Sequence, residues 1–229
     1  MRANAVAVMA KAALAGQVKT RLIPALSAEE AAAVAQALLL DQLAHLSALA
    51  EADLYLAYTP AAERALFQKL APPGFHLFPQ AGGDLGARMQ AIFTELWRRG
   101  HENIALIGGD LPPLSLNFFE QAFAWLECSP AGVVLGPSDD GGYYLVAMGR
   151  PHFAIFTGIT WSRSDVLQRT AAKLDNLHIE FKLLPTLFDI DTVDDLGRLC
   201  SRLAQDANGM KNTAALLQEL RRAGKLNAE

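Results

Sequence analysis

Short apolar runs alternate with longer amphipathic runs along most of this chain. The first apolar run, residues 4–9, has valine at two alternate positions, which is typical of a buried β-strand. Six further short runs predict strands, at residues 53–59, 75–79, 103–107, 133–135, 143–148 and 178–184. The segments between most of these strands are long enough to hold a helix.

The amphipathic runs predict helices, and two of them begin with a clear end signal. Ser27 and Glu30 form a capping box, so we expect a helix from there to about Ala50. Thr192 and Asp195 give a similar signal late in the chain. The other predicted helices lie at residues 60–70, from the 82–86 segment to Gly100, at 115–127, at 164–174 and, as a C-terminal helix, at 212–224.

Alternation of strands and helices predicts an α/β fold with a mostly parallel sheet and helices on both faces. We find no internal repeat, linker or shift in composition, so we expect a single domain over residues 1–229, with its motifs within about 1–200. In folds of this class the ligand binds at the carboxyl ends of the strands. The polar and glycine-rich segments at those ends are therefore the candidate site.

Composition narrows the function classes. Of the 229 residues, 52% are hydrophobic and 19% are charged, which excludes an intrinsically disordered chain. The net charge of −4 argues against a nucleic-acid partner. Cys128 and Cys200 are too few for a disulfide framework, and Lys11 interrupts the N-terminal apolar run too early for a signal peptide. We expect a cytoplasmic protein with no membrane partner.

The loop after the first strand is basic in an otherwise acidic chain. Residues 1–28 hold four basic residues and no acidic one. Lys11, Lys19 and Arg21 surround Gly16, where backbone N–H groups can approach an anion, so we predict phosphate binding. A solvated basic loop is the alternative. The segment matches neither the P-loop nor the Rossmann glycine motif.

A second candidate segment is Gly82–Gly86, where a nucleoside could lie against glycine backbone. We predict Gly83, Asp84 and Gly86 as nucleotide-binding residues. Alternatively, this is a helix N-terminus with Asp84 as its N-cap.

Two aspartates at predicted strand ends are candidate metal ligands. Asp110 follows two glycines, and Asp191 lies in the segment Asp-Ile-Asp-Thr. Mg²⁺ is typically held by one or two carboxylates together with substrate phosphates, so the pair predicts a Mg²⁺ or Mn²⁺ site. As alternatives, Asp110 belongs to the turn before Pro112, and part of the later segment is a helix cap.

The segment Asp139-Asp140-Gly141-Gly142 lies between two predicted strands. We predict that these four residues bind a sugar or acceptor, with Asp140 as a candidate general base. A simple hairpin turn is the alternative.

Together these segments resemble the bacterial transferase family associated with radical-SAM and selenodomain proteins (DUF2064-like). The motifs that carry the resemblance follow in the family's order: K-A-A-L-A-G-Q-V-K-T-R-L (11–22), G-D-L-G-A-R-M (83–89), I-G-G-D-L-P-P-L (107–114), G-P-S-D-D-G-G-Y-Y-L (136–145), G-I-T-W-S (158–162) and D-I-D-T-V-D-D-L (189–196). The resemblance implies a three-layer α/β/α GT-A fold, as in nucleotide-diphospho-sugar transferases. It also matches Lys19 and Arg21 to the family's basic loop, and Asp110 and Asp191 to its metal aspartates.

These observations lead to one favoured function and two alternatives. We expect a metal-dependent glycosyltransferase that acts on a nucleotide sugar, with Lys19, Arg21 and Asp140 as catalytic residues. The alternatives are a nucleotidyltransferase that releases pyrophosphate and a non-catalytic nucleotide-binding module. The partners are a small nucleotide donor and an acceptor that the sequence does not identify; a homodimer is left open, as are the donor base and the stereochemical outcome.

Overall fold

A computed structural model describes residues 2–205 and 209–226. Within these residues the chain forms seven strands: β1 (Asn4–Lys11), β2 (Ala52–Thr59), β3 (Phe75–Pro79), β4 (Asn103–Gly108), β5 (Val133–Pro137), β6 (Tyr143–Met148) and β7 (Phe181–Leu183). The same residues form seven α-helices: α1 (Ala28–Leu46), α2 (Arg64–Leu70), α3 (Leu85–Arg98), α4 (Leu116–Cys128), α5 (Val166–Asn176), α6 (Val193–Gln205) and α7 (Lys211–Arg222). No helix among the described residues is long and apolar enough to cross a membrane.

The strands form one sheet in the order β3-β2-β1-β4-β6-β5-β7. Strand β6 runs antiparallel to its neighbours β4 and β5, and the other pairings are parallel. The carboxyl ends of β1, β4 and β5 therefore lie at one edge of the sheet. Because β6 enters from this same edge, the β5–β6 hairpin also lies there. The mostly parallel α/β fold expected from the sequence is confirmed.

Helices cover both faces of the sheet because side chains alternate along each strand. Val8 of β1 packs into a cluster with α1, α2 and α4, whereas Ala7 faces a second cluster with α3 and α5. A third cluster joins α1 to α6 and α7. Helix α1 therefore packs on the sheet with one side and on two later helices with the other.

Some helix and strand ends lie where the sequence predicted them, and others differ from the prediction. The capping box of Ser27 and Glu30 is present at the start of α1. That helix ends at Leu46 rather than near Ala50, because the N–H of Leu49 bonds to the Leu46 carbonyl in a turn that leads into β2. Strand β7 is shorter than predicted, since His178 has a left-handed φ of 53° and still belongs to the turn that follows α5.

Candidate active site at the carboxyl edge of the sheet

Lys19 is the centre of the candidate site. Its ammonium Nζ lies 3.0 Å from Oδ2 of Asp110 and 3.1 Å from Oδ1 of Asp191. Asp110 follows β4, Asp191 precedes α6, and Lys19 lies in the loop after β1. Three segments that are far apart in sequence therefore place their charges at one point.

The Lys19 side chain is only 3% exposed, although it carries a charge. Burial by itself lowers the pKa of the ammonium, but the adjacent Asp110 and Asp191 carboxylates outweigh that effect, so the pKa lies above its ordinary value. Lys19 therefore carries a positive charge within the site at neutral pH.

Arg21 adds a second positive charge to this cluster. Its Nη1 lies 3.5 Å from Oδ2 of Asp191, and its side chain is 71% exposed. The guanidinium is thus only loosely paired and remains accessible to a ligand. The structure brings together the two basic residues and the two carboxylates that the sequence predicted at strand ends.

Asp110 and Asp191 are the two candidate metal ligands, and the structure places them on either side of the Lys19 ammonium. Both carboxylates are partly exposed and contact a single ammonium, so their oxygens converge. The described residues contain no group of three or more histidine, cysteine or acidic side chains able to hold a metal. Water and substrate phosphates would complete the coordination, as is usual for Mg²⁺.

Asp189 belongs to the same acidic region but has a different partner. Its Oδ2 accepts a hydrogen bond from the hydroxyl of Ser138, at the start of the β5–β6 turn. Burial raises its pKa to about 6, and the negative charges of Asp140, Asp191 and Asp110 add to this rise. Asp189 therefore links the hairpin to the segment that carries Asp191.

The β5–β6 hairpin separates its two predicted acidic residues. Asp140 lines a cavity of about 460 Å³ together with Lys19, Arg21 and Asp191. Asp139 points elsewhere and lies 3.4 Å from the guanidinium of Arg198 on α6. The hairpin interpretation is confirmed, and it leaves Asp140 as the acidic residue of the turn that faces the cationic cluster.

The two glycines of this turn have structural roles. Gly141 has a left-handed φ of 89°, and a Cβ there would overlap the carbonyl oxygen of Ser164. The N–H of Gly142 donates to Oδ1 of Asp140 at 2.8 Å. These contacts shape the turn; direct contact of either glycine with a sugar or acceptor stays a prediction.

Lys11 and Gly16 lie in the first part of the basic loop. The ammonium of Lys11 donates to the carbonyl of Gln17 at 2.8 Å, and Gly16 turns the chain with a left-handed φ of 75°. Lys11 and Gln17 line a second cavity of about 300 Å³, which reaches Lys19 and Asp110. Lys11 thus neighbours the cluster, while Gly16 lies outside the lining of that cavity.

The Gly82–Gly86 segment is the N-terminus of α3, as the alternative interpretation proposed. Asp84 is the N-cap, and its carboxylate accepts from the N–H of Ala87 at 2.8 Å. Gly86 is buried, and a Cβ there would lie 2.9 Å from the Trp161 ring, so packing accounts for this glycine. Gly83 is exposed. Nucleotide contact by these residues stays a prediction.

One lining segment of the larger cavity was missed in the sequence. Ser162, Arg163 and Ser164, just before α5, complete the wall that includes Asp140. The motif G-I-T-W-S touches this segment, but a single arginine between two serines has no spacing that indicates a site. Only the fold brings Arg163 beside residues from the loop after β1.

The solved structures that resemble this chain include a relative with substantial sequence identity and others that are more distant. A candidate nucleotide-diphospho-sugar transferase from Desulfovibrio desulfuricans G20 is 30% identical, with a TM-score of 0.89 over 97% of this chain and 96% of that one. A cytidylyltransferase from Leptospira borgpetersenii is 12% identical, with a TM-score of 0.62 over 100% and 98% of the two chains. The 4-diphosphocytidyl-2C-methyl-D-erythritol synthase of Anaerococcus prevotii is also 12% identical, with a TM-score of 0.55 over 88% and 97%.

The last two structures share the fold with this chain, and their low identity supports no more than that. A search of curated proteins finds no match. The model of a family described as an uncharacterized protein conserved in bacteria, DUF2064, matches residues 42–163, which is more than half of the chain. The chain therefore belongs to the DUF2064 family, and it has the fold of nucleotide-diphospho-sugar transferases.

Proposed function

We propose that this protein is a transferase that uses a nucleotide-activated donor, and that it transfers a glycosyl group from a nucleotide sugar. The observation that carries the proposal is the convergence of Lys19, Arg21, Asp110 and Asp191 at the carboxyl edge of the sheet. A buried ammonium, an exposed guanidinium and two carboxylates suit a diphosphate and its counter-ion. The relative that is 30% identical is named for nucleotide-diphospho-sugar transfer, which supports the choice of donor.

Asp110 and Asp191 are the residues that would hold Mg²⁺ or Mn²⁺. Their carboxylates flank the Lys19 ammonium and are 60% and 40% exposed, which leaves them open to a cation that also binds substrate phosphates. When bound, such an ion neutralises charge on the phosphate oxygens of the leaving group. Lys19 already holds the two carboxylates together.

Lys19 and Arg21 would bind the diphosphate and stabilise the negative charge that develops on it as the donor bond breaks. Lys19 is fixed in place by two ion pairs, so it needs little reorganisation during the reaction. Asp140 lines the same cavity and is the candidate base that accepts a proton from the acceptor. Asp140 is held in place by the hydrogen bond from Gly142.

Nucleotidyl transfer is the second candidate. One structure with this fold is named a cytidylyltransferase and another a 4-diphosphocytidyl-2C-methyl-D-erythritol synthase, and the same cationic cluster could stabilise a pyrophosphate leaving group. The two reactions differ in their product: glycosyl transfer releases a nucleoside diphosphate, whereas nucleotidyl transfer releases pyrophosphate.

The test combines binding with product analysis. The protein is titrated calorimetrically with a panel of nucleotide sugars and nucleoside triphosphates, with and without Mg²⁺ or Mn²⁺, and each mixture is then analysed for nucleoside diphosphate and pyrophosphate. We expect a metal-dependent nucleotide-sugar complex and, because the mixture holds no acceptor, slow release of nucleoside diphosphate as the glycosyl group passes to water. Release of pyrophosphate from a triphosphate would favour the second candidate, and binding without turnover of any donor would favour a non-catalytic module.

Two variants test the assigned residues. Asp110→Asn and Asp191→Asn should each weaken metal-dependent donor binding at least tenfold, about 1.4 kcal/mol. The matched control, Asp175→Asn, changes an exposed carboxylate at the end of α5 and should leave binding unchanged. If the wild type binds no nucleotide, or the site variants bind it as well as the control, the proposal is wrong.

A further inference from the structure

One wall of the cavity of about 460 Å³ is formed by a segment outside the basic loop and away from Asp110 and Asp191 in sequence. Ser162, Arg163 and Ser164 line it immediately before α5, next to Asp140 of the β5–β6 turn. Lys19 and Arg21 line the same cavity from the loop after β1. The cavity therefore carries cationic side chains from two separate parts of the fold.

The 162–164 segment is firmly placed against the hairpin. The backbone of Ser164 lies where a side chain on Gly141 would be, and the N–H of Leu167 donates to the Gly141 carbonyl at 2.9 Å. On its other side, Trp161 packs against Gly86 and lies edge-on to the ring of Tyr143. The position of Arg163 is thus set by contacts with the hairpin and with α3.

Arg163 is only weakly neutralised by its neighbours. Its Nε lies 3.5 Å from Oδ1 of Asp165, whereas Oδ2 of the same carboxylate accepts from Nε of Arg169 at 2.7 Å. Asp165 therefore pairs more closely with Arg169 than with Arg163. The Arg163 side chain is 60% exposed, which leaves its guanidinium available at the wall of the cavity.

The adjacent hydroxyl groups suit the same kind of ligand. Ser162 has a left-handed φ of 61°, a conformation that is uncommon for serine, and Ser164 follows two residues later. A guanidinium between two hydroxyl donors can bind a carboxylate or a phosphate through several charge-assisted hydrogen bonds.

We propose that Arg163, assisted by Ser162 and Ser164, binds an anionic group of the acceptor, a carboxylate or a phosphate. Asp140 is the candidate base for the acceptor and lies on the same side of the cavity, while Lys19 and Arg21 serve the donor diphosphate. The acceptor is therefore an acidic small molecule. The assignment of the anion to the acceptor rests on the proposed transferase function; the binding of an anion by Arg163 does not.

The test uses three small probes that differ only in their charged group. Glycerol 3-phosphate, glycerate and uncharged glycerol are titrated into the full-length protein at low ionic strength, with heat as the readout. We expect at least one of the two anions to bind and glycerol not to bind. Arg163→Gln should weaken binding of that anion at least fivefold, and Arg163→Lys should retain part of the affinity.

A second set of variants separates this site from the donor site. Arg21→Gln should weaken nucleotide binding and leave the affinity for the small anion largely unchanged, while Arg163→Gln should do the reverse. Arg64→Gln, which removes an exposed arginine at the start of α2, is the control for lost charge. Melting temperatures of all variants check that each one folds.

Three outcomes would overturn the inference. The anions could fail to bind, Arg163→Gln could bind them as well as Arg64→Gln, or saturating nucleotide could displace them, which would place them in the donor phosphate site. Failure of the transferase proposal looks different, because then no nucleotide binds although the dependence of anion binding on Arg163 is still measured.

Discussion

At the scale of single residues, the charged side chains and glycines of the candidate site contact segments that are far away in sequence. Lys19 is buried yet charged because two carboxylates, Asp110 and Asp191, surround it. Removing one of the carboxylates would leave the buried ammonium without a partner, which costs more stability than replacing the whole ion pair by apolar residues. Gly141 also depends on a distant segment, because the backbone of Ser164 occupies the place that a Cβ would take.

Gly141→Ala should destabilise the protein by about 2–4 kcal/mol, because the new Cβ overlaps the Ser164 backbone in addition to the strain of a left-handed φ. Gly158→Ala is the control. Its φ of 68° is also left-handed, but no atom lies within 4 Å of the added Cβ, so about 1–2 kcal/mol is expected. Urea unfolding measures both variants, and equal losses would show that the close approach to Ser164 is unimportant.

Glu95 gives a prediction about pH. Hydrogen bonds from Arg98 and Arg99 lower its pKa to about 2 in the folded protein, below the usual 4.5. Its contribution to stability is therefore complete above about pH 4.5 and is lost as the pH falls towards 2. Glu95→Gln should lower the free energy of unfolding at pH 7 by less than about 1 kcal/mol, since the ion pairs of Glu95 with Arg98 and Arg99 are partly exposed to water.

The difference between wild type and Glu95→Gln should shrink steadily between pH 4.5 and 2 in a series of urea titrations. The exposed Glu127 on α4 provides the control substitution, Glu127→Gln. A difference that stayed constant over this range would mean that the ionised form of Glu95 is not the stabilising one.

At the scale of elements, helix α7 depends on a side chain from another helix. Asp41 of α1 is 1% exposed, and its carboxylate accepts from the backbone N–H groups of Asn212 and Thr213 and from the amide of Asn212. The N-terminal N–H groups of a helix lack partners within it, so a carboxylate there satisfies them and complements the helix dipole. Asp41 thus fixes α7 against α1.

Asp41→Ala should cost about 2–3 kcal/mol of stability, because it removes the cap and leaves buried N–H groups without acceptors. Asp41→Asn keeps one acceptor oxygen of the same shape and should lose less. Chemical denaturation followed by circular dichroism measures both. If the alanine and asparagine variants were both as stable as the wild type, the capping role of Asp41 would be refuted.

At the scale of the whole molecule, the sheet and α1 connect the three apolar clusters. Leu39 and Leu43 of α1 pack towards the sheet, while Val34 and Leu38 of the same helix pack towards α6 and α7. Loss of the outer helices would expose one side of α1, and loss of α1 would expose the sheet. The layers therefore stabilise one another.

We accordingly predict a single cooperative unfolding transition, as expected for one domain. Differential scanning calorimetry should give a calorimetric enthalpy equal to the van't Hoff enthalpy. Circular dichroism and tryptophan fluorescence should report the same midpoint. A separate transition at lower temperature, with loss of helical signal alone, would indicate that α6 and α7 unfold independently.

The sequence by itself determined the strands and helices, apart from some of their ends, and the charged residues of the site that follow β1 and β4. Alternation of apolar runs predicted the strands, and the Ser27–Glu30 box predicted the start of α1, because these signals act between residues that are close in the chain. Lys19, Arg21 and Asp110 could be predicted as a group, since the carboxyl ends of the parallel strands β1 and β4 meet at one edge, whereas Asp191 lies well beyond the end of β7 and reaches them through the segment that leads into α6.

Only the tertiary structure decided where the remaining residues lie relative to those charged groups. It placed Arg163 in the cavity and turned Asp139 away to Arg198, and it made Gly86 a packing residue beside Trp161. These outcomes depend on contacts between segments that are far apart in sequence. A local pattern specifies how a chain turns, but the direction of a side chain at a loop is set by whatever packs against it.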